Sequence, residues 1–254
     1  MDESDRKTAT ADSFGEGAEG YRTSRTHSEG EDLDRLASWC DDATVALDVA
    51  TGAGHAAGAL REAGVPRVVA ADASPAMVAT SVRSFPVEGV VADAERLPFG
   101  ADAFDAVTCR IAAHHFPDPR AFVAEVARVL RPGGVFALED TVAPENDALA
   151  SFLDRLETLR DPTHVSARRL STWQRWLADA GFDVTETVQM ATTLRVDPWI
   201  DRIASLDAED GDAVRRYLGE APPEAVECFG IEYGDGGACS FESPKGLFRA
   251  VSVD

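Results

Sequence analysis

Lysine is almost missing from this chain: Lys7 and Lys245 are its only two, and arginine supplies the remaining bases. Positive charge of any kind is scarce, with 24 bases against 45 acids and a formal net charge of −21. Nucleic-acid phosphates repel such a surface, which excludes DNA or RNA as a general partner. Adaptation to a salty cytoplasm, where an acidic surface stays solvated, is the expectation the charge raises. A preference for cationic ligands is the rival reading, although one small cation needs far fewer acids. The four cysteines, at 40, 109, 228 and 239, form no CxxC pair. That spacing predicts reduced, buried thiols and no metal site, and leaves a Cys228–Cys239 bridge open. No stretch reaches the roughly 18 apolar residues of a membrane helix. The first twenty residues lack the apolar centre of a signal peptide. A cytoplasmic protein without a membrane span is therefore expected, and nothing in the sequence indicates an oligomeric state.

Apolar runs alternate with helical patterns from residue 43 onward. "ATVALDVA" (43–50), "RVVAADA" (67–73), "VEGVVADA" (87–94), "FDAVTCRIA" (104–112) and "VFALEDTV" (135–142) read as strands buried on both faces. Helices are predicted between them: about 55–63, from Ser74-Pro75 (a cap, then proline at the first helical position), and over "DPRAFVAEVARVL", with "RPGG" as a turn. Strand–helix alternation implies an α/β fold built on a parallel sheet. Further helices follow in "ENDALASFLDRLETLRD", "STWQRWLADAGF", "DPWIDRIASL" and "EDGDAVRRYL". "FDVTETVQM" predicts a sixth strand, and the C-terminal "CFGIEYGDGGACSFESPKGLFRAVSV" antiparallel strands around a Gly-rich turn. There is no internal repeat, and 254 residues are most simply one domain.

After the first strand comes "LDVATGAGHAAG". Gly52-x-Gly54-x-x-Ala57 fits the dinucleotide fingerprint, and Asp72 stands twenty residues past Gly52, where an acid binds ribose hydroxyls. These features alone serve NAD and S-adenosylmethionine (SAM) equally. Asp48, before the glycines, favours SAM: it would repel a pyrophosphate but can help hold the ammonium of a methionine end. Asp93, at the end of the third strand, can accept from an adenine amine, with the Ala94 amide donating to a ring nitrogen. Each acid also has a plain structural reading: Asp48 satisfied by nearby amides, Asp72 capping the helix at Ser74, Asp93 one more surface acid. Thr51 and His55 flank the turn, either touching the ligand or simply shaping the turn.

Together "LDVATGAGH", the acid of "VVAADAS", "DAERLPF", "FDAVTCRIAAHHF" and "LRPGG", over about residues 45–140, resemble the class I SAM-dependent methyltransferases. The closest likeness is to the ubiquinone/menaquinone-biosynthesis type of small-molecule C-methyltransferase and its uncharacterised relatives. The resemblance implies a Rossmann-like, seven-stranded, mostly parallel sheet of order 3-2-1-4-5-7-6, last strand antiparallel, with helices on both faces. It implies SAM as cofactor and a small molecule as methyl acceptor. The expected organisation is a flexible acidic tail over 1–20 and one methyltransferase domain over 21–254. Within it, 21–42 would supply a lid and first helix, 43–142 the cofactor core, and 143–254 the substrate-covering helices and C-terminal strands.

Methyl transfer needs alignment and exclusion of water, and a base where the acceptor must lose a proton. His114 and His115, after the fourth strand, are the candidate catalytic pair. The candidate cofactor residues are Asp48, Thr51, Gly52, Gly54, Asp72, Ala73, Asp93, Ala94, Arg110, Tyr21 and His27. Tyr21 and His27 belong to the lid segment, and Arg110 has a salt bridge to Glu139 or Asp140 as its structural alternative. Arg160, Asp161 and His164 are further candidates for the pocket wall, and Trp173, Trp176 and Trp199 for an apolar pocket or for core. No Asn/Asp-Pro-Pro-Tyr follows the fourth strand, which argues against methylation of nucleic-acid bases. An NAD(P)-dependent oxidoreductase and a non-catalytic SAM-binding protein are the alternatives.

Overall fold

The computed structural model describes residues 3–23, 28–201 and 208–253. His27 lies outside the described residues. Its central sheet is built as the alternation predicts. Strands β1 (Val45–Val49), β2 (Arg67–Asp72), β3 (Glu88–Val91), β4 (Phe104–Arg110) and β5 (Leu130–Ala143) run parallel. A short β6 (Arg168–Arg169) pairs with β5, and β7 (Phe182–Arg195) lies at the far edge. β8 (Glu232–Gly234) and β9 (Gly237–Ser252) form the C-terminal hairpin, with β9 inserted antiparallel between β5 and β7. The order β3-β2-β1-β4-β5-β9-β7 is the expected one, with two short strands added, so the sheet has nine strands rather than seven.

Side chains alternate across this sheet, so each strand serves two layers. Ala46, Ala106 and Ala137 face Leu36 of α3 (Glu31–Ser38) and Leu60 of α4 (His55–Glu62). Leu47, Val107 and Leu138 face Phe122 and Val126 of α6 (Pro119–Val129) and Trp173 and Leu177 of α8 (Leu170–Asp179). α5 (Pro75–Ser84) links β2 to β3. Phe122, Val126 and Val129 are fully buried, as their shared face predicts, each contributing about 1.5–3 kcal/mol of apolar burial. A second core forms beyond the sheet from α7 (Asp147–Arg160), α9 (Val196–Ile200), α10 (Ala208–Gly219) and α11 (Pro223–Cys228), around Leu153, Trp199, Val214 and Phe229.

Three local expectations are revised, and the open choice for the tryptophans falls on core. Residues 3–16, read as part of a tail, form helix α1 (Glu3–Glu16), followed by α2 (Ala18–Arg22). "RPGG" is absorbed within β5, where the register slips from Phe104–Leu130 to Ala106–Val135 and Gly133 takes φ +78°. Such a bulge needs a residue free to adopt positive φ. Ser74 occupies the N-cap of α5 without capping through its hydroxyl. The three tryptophans are core: Trp173 packs in the main cluster with Trp176 against it, and Trp199 packs on Phe241 in the second. All four cysteines are free; Cys40 and Cys109 are buried as expected, whereas Cys228 is exposed and Cys239 half-buried.

Candidate functional site

The strand order reverses between β1 and β4, and open α/β sheets bind ligands at such a point, outside the strand C-termini. Both strands here run into strained backbone: Ala50 has φ +53° and Ile111 φ +52°. Non-glycine residues held in this region concentrate at functional sites. Both line a cavity of about 580 Å³, within the usual range for small-molecule sites.

Asp48, Thr51, Gly52, Asp72, Ala73, Asp93, Ala94, Arg110, Tyr21 and His115 all line this one cavity. Gly54 and His114 do not. Gly54, at φ +93°, caps α4, and a Cβ there would stand 2.7 Å from Ser81 Cβ; it permits α4 and α5 to approach. Gly52, at φ +54°, has no atom within 4 Å of where a Cβ would be, so the turn leaves open space on the cavity side.

Asp48 is buried and accepts three hydrogen bonds. Thr51 Oγ1 donates to it at 2.6 Å, Thr108 Oγ1 at 2.7 Å and the Ala57 amide at 3.1 Å. Thr108 is its register partner on β4, which is why that hydroxyl reaches it. Burial pushes the Asp48 carboxyl up to about 6 against these hydrogen bonds. Asp72 accepts from the Gly52 amide and the Ser74 amide, both at 2.9 Å, so it ties the glycine turn to the start of α5 while facing the cavity. Both readings of Asp72, capping group and cavity acid, describe it.

α1 roofs the cavity through Ser4, Lys7, Thr8, Ala11 and Phe14. Lys7 Nζ bonds Asp93 at 2.9 Å and Glu95 at 2.5 Å. Phe14 meets Tyr21 and, edge-on, the His115 ring. His55, also in the wall, donates from Nε2 to the Tyr21 carbonyl at 3.2 Å. Sequence reasoning missed Lys7 as a site residue. Its one signal was rarity, as one of only two lysines in an arginine-using chain.

Beneath the cavity lies a buried polar layer. Arg110 donates to Glu139, its register partner, at 2.7 Å, as its structural reading expects, and also to Asp32 of α3, a partner the sequence did not suggest. Burial raises Glu139 to about 7 even beside Arg110. His114 Nδ1 pairs with Asp140 at 2.6 Å; burial holds the imidazole well below its ordinary pKa and lifts Asp140 to about 7. Lys245, the second lysine, is buried and donates to Thr141, opposite it across β5 and β9, at 2.7 Å. Its ammonium is pulled below the usual range by burial, against the attraction of Glu139, Glu157 and Asp140. Asp161 and His164 are buried beside His115 and Arg160 packs on Trp199; none of the three lines the cavity. Among the described residues no three His, Cys, Asp or Glu side chains are placed to hold a metal ion.

A glycine turn with an acid twenty residues on fits hydride and methyl donors alike, so relatives decide. The chain is 36% identical over 232 residues to the uncharacterised methyltransferase YcgJ of Bacillus subtilis, covering 88% of this chain and 91% of that protein. It belongs to the SAM-dependent methyltransferases. The methyltransferase domain model matches residues 47–138, the stretch from β1 to β5. The crystal structure of YcgJ superposes with a TM-score of 0.83 at 32% identity, covering 88% of this chain and 98% of that one. A Bacillus halodurans structure gives 0.83 at 36% identity, covering 89% and 100%. The ubiquinone/menaquinone biosynthesis C-methyltransferase UbiE of Desulfotalea psychrophila is 37% identical over 112 residues, 42% of this chain and 45% of that protein. For this methyltransferase the choice between hydride and methyl falls on methyl. No described helix is long and apolar enough to cross a membrane.

Proposed function

We propose that this methyltransferase binds SAM in the cavity under α1 and methylates a small, largely apolar acceptor free in the cytoplasm. The observation that carries the reading is continuity: a single cavity joins the glycine turn, Asp72, Asp93 and His115. Asp72 holds the ribose hydroxyls, using the lone pairs its two amide bonds leave over. Asp93 and the Ala94 amide take the adenine edge, and Thr51, Gly52 and the Asp48 carboxylate receive the methionine end. SAM bound there supplies an activated methyl group. The chain's own contribution is to align the acceptor and keep water out. The space between Phe14, Tyr21, Ile111, His115 and Phe116 suits an aromatic or aliphatic acceptor better than a charged one. The net charge of −21 supports an acceptor other than nucleic acid. Residues 3–22 belong to the same working unit as the core, as cover for the site.

Thermal-shift measurements with SAM, S-adenosylhomocysteine, NAD and NADP test the assignment, because a ligand selective for the native state raises Tm. SAM and S-adenosylhomocysteine are expected to stabilise the protein. Asp72→Asn should weaken S-adenosylhomocysteine binding at least about tenfold by calorimetry, roughly 1.4 kcal/mol. Stabilisation by NAD alone would overturn the cofactor, and unchanged binding in the variant would overturn the role of Asp72.

A further inference from the structure

Of the adjacent pair His114 and His115, only His115 lines the cavity, and its surroundings fix which of its nitrogens carries the proton. The Thr163 hydroxyl lies 3.1 Å from His115 Nδ1 and 2.6 Å from Asp161 Oδ1. A hydroxyl has one hydrogen. Asp161 accepts only, and takes the Thr163 amide at 2.8 Å on the same oxygen, so the hydroxyl hydrogen goes to Asp161. The Thr163 oxygen is left as an acceptor, and His115 Nδ1 must bring the hydrogen between them. Nε2 has no hydrogen-bond partner among the described residues, and it stands 4.0 Å from Asp161 Oδ2.

The segment that carries Thr163 is held in place by backbone bonds. The Val165 and Ser166 amides both donate to the His114 carbonyl, at 2.9 and 3.2 Å, and the His164 amide donates to Asp161 O at 3.0 Å. Asp161 through Ser166 is thereby clamped to the turn that bears His114 and His115. Edge contact with Phe14 of α1 bounds the ring on another side.

We propose that Thr163 and Asp161 are positioning residues that hold His115 as a neutral Nδ1–H imidazole, whose Nε2 is the general base for an acceptor with a proton to give. This rests on the methyl-transfer reading above and narrows its acceptor to a hydroxyl, amine or acidic carbon. The proton passes from the acceptor atom to Nε2 and leaves its electron pair on the acceptor for the bond to the methyl group. His115 becomes an imidazolium beside the Asp161 carboxylate and returns the proton to water after transfer. Burial, which lowers the His115 pKa, keeps the resting ring neutral, while the Asp161 carboxylate acts the other way and favours the imidazolium that the step forms.

The test needs no acceptor. The full chain, labelled with ¹⁵N-histidine and saturated with S-adenosylhomocysteine, is examined by long-range ¹H–¹⁵N NMR at pH 7, with His115 assigned from His115→Gln. Nδ1–H with an unprotonated Nε2 is expected. Thr163→Ser should keep that tautomer, while Thr163→Val and Asp161→Asn should shift the ratio toward Nε2–H by roughly five- to tenfold, as for one lost hydrogen bond. An Nε2–H tautomer in the wild type overturns the proposal without any variant, as does an unchanged ratio in folded Thr163→Val. Carbethoxylation of the wild type should modify His115, and a His115 inert to the reagent refutes an accessible Nε2. Calorimetry on the same sample reports S-adenosylhomocysteine binding separately. Failure to bind would count against the cofactor assignment, whereas a wrong tautomer in a binding-competent protein counts against the base.

Discussion

Burial sets the ionisation of the groups below the cavity, and the direction of each shift fixes its effect on stability. Glu139 and Asp140 are raised to about 7 and Asp48 to about 6, so the native state holds protons that the unfolded chain has released. Their contribution therefore falls as pH rises through the interval from their unfolded to their folded pKa. His114 and His115 are lowered, so their sites bind more protons in the unfolded chain than in the native state below about pH 6.5, and their contribution rises with pH there. Below pH 6 the three carboxyls outnumber the two histidines, so a net fall in stability with rising pH remains, at most about 1.4 kcal/mol per pH unit. Between pH 6.5 and 8 the unfolded histidines and the native Glu139 and Asp140 all finish titrating, so the net slope fades. Unfolding by urea should therefore show a midpoint that declines from pH 5 to about 7 and levels off toward pH 8. Asp140→Asn should reduce that decline, because it removes one of the three carboxyl titrations. A midpoint that climbs from pH 5 to about 7 would contradict the assigned directions.

At the scale of elements, the five parallel strands were legible because strands buried on both faces read as continuous apolar runs. Acids at their ends were legible for the same reason: Asp48 and Asp72 interrupt a run where its strand must stop. α1 was not legible. "ESDRKTATADSFGE" has no apolar stripe, since the helix is held by Lys7 on Asp93 and Glu95, by Phe14 on His115, and by the close approach of Gly15 to Ser74. None of those contacts is local in sequence. The same limit hid Thr163 from His115 and Asp32 from Arg110: a hydrogen bond across 48 or 78 residues leaves no periodicity behind. Because α1 places no side chain in the buried apolar core, its loss should cost little stability. Removal of residues 1–16 should leave Tm within about 4 °C, a change of roughly 1–2 kcal/mol for a chain of this size. Affinity for S-adenosylhomocysteine should fall at least about tenfold, because the cavity loses its roof. Calorimetry and a thermal melt on the truncated chain check both halves. Intact affinity would show that α1 is a bystander to the site.

For the whole molecule the dominant fact is the charge of −21. Exposed ion pairs such as Arg67–Glu88 and Arg120–Asp179 use only part of the acid excess and are individually worth little. The remaining acids repel one another over a screening length of about 10 Å at 0.1 M salt and about 3 Å at 1 M. Stability should therefore rise with KCl, opposite to what surface ion pairs alone would give. Each kcal/mol of repulsion relieved should raise Tm by about 2–4 °C. Asp41, Asp42 and Glu62 are exposed and make no salt bridge among the described residues. Glu62 ends α4, where the helix dipole disfavours a negative charge. Neutralising the three as Asp41→Asn, Asp42→Asn and Glu62→Gln should raise Tm at 0.1 M KCl and leave it nearly unchanged at 2 M. The slope of Tm against log[KCl] becomes shallower in that variant if repulsion is the cause. An equal slope in both proteins would assign the salt effect to the buried surface instead and remove the charge-based account of the acidity.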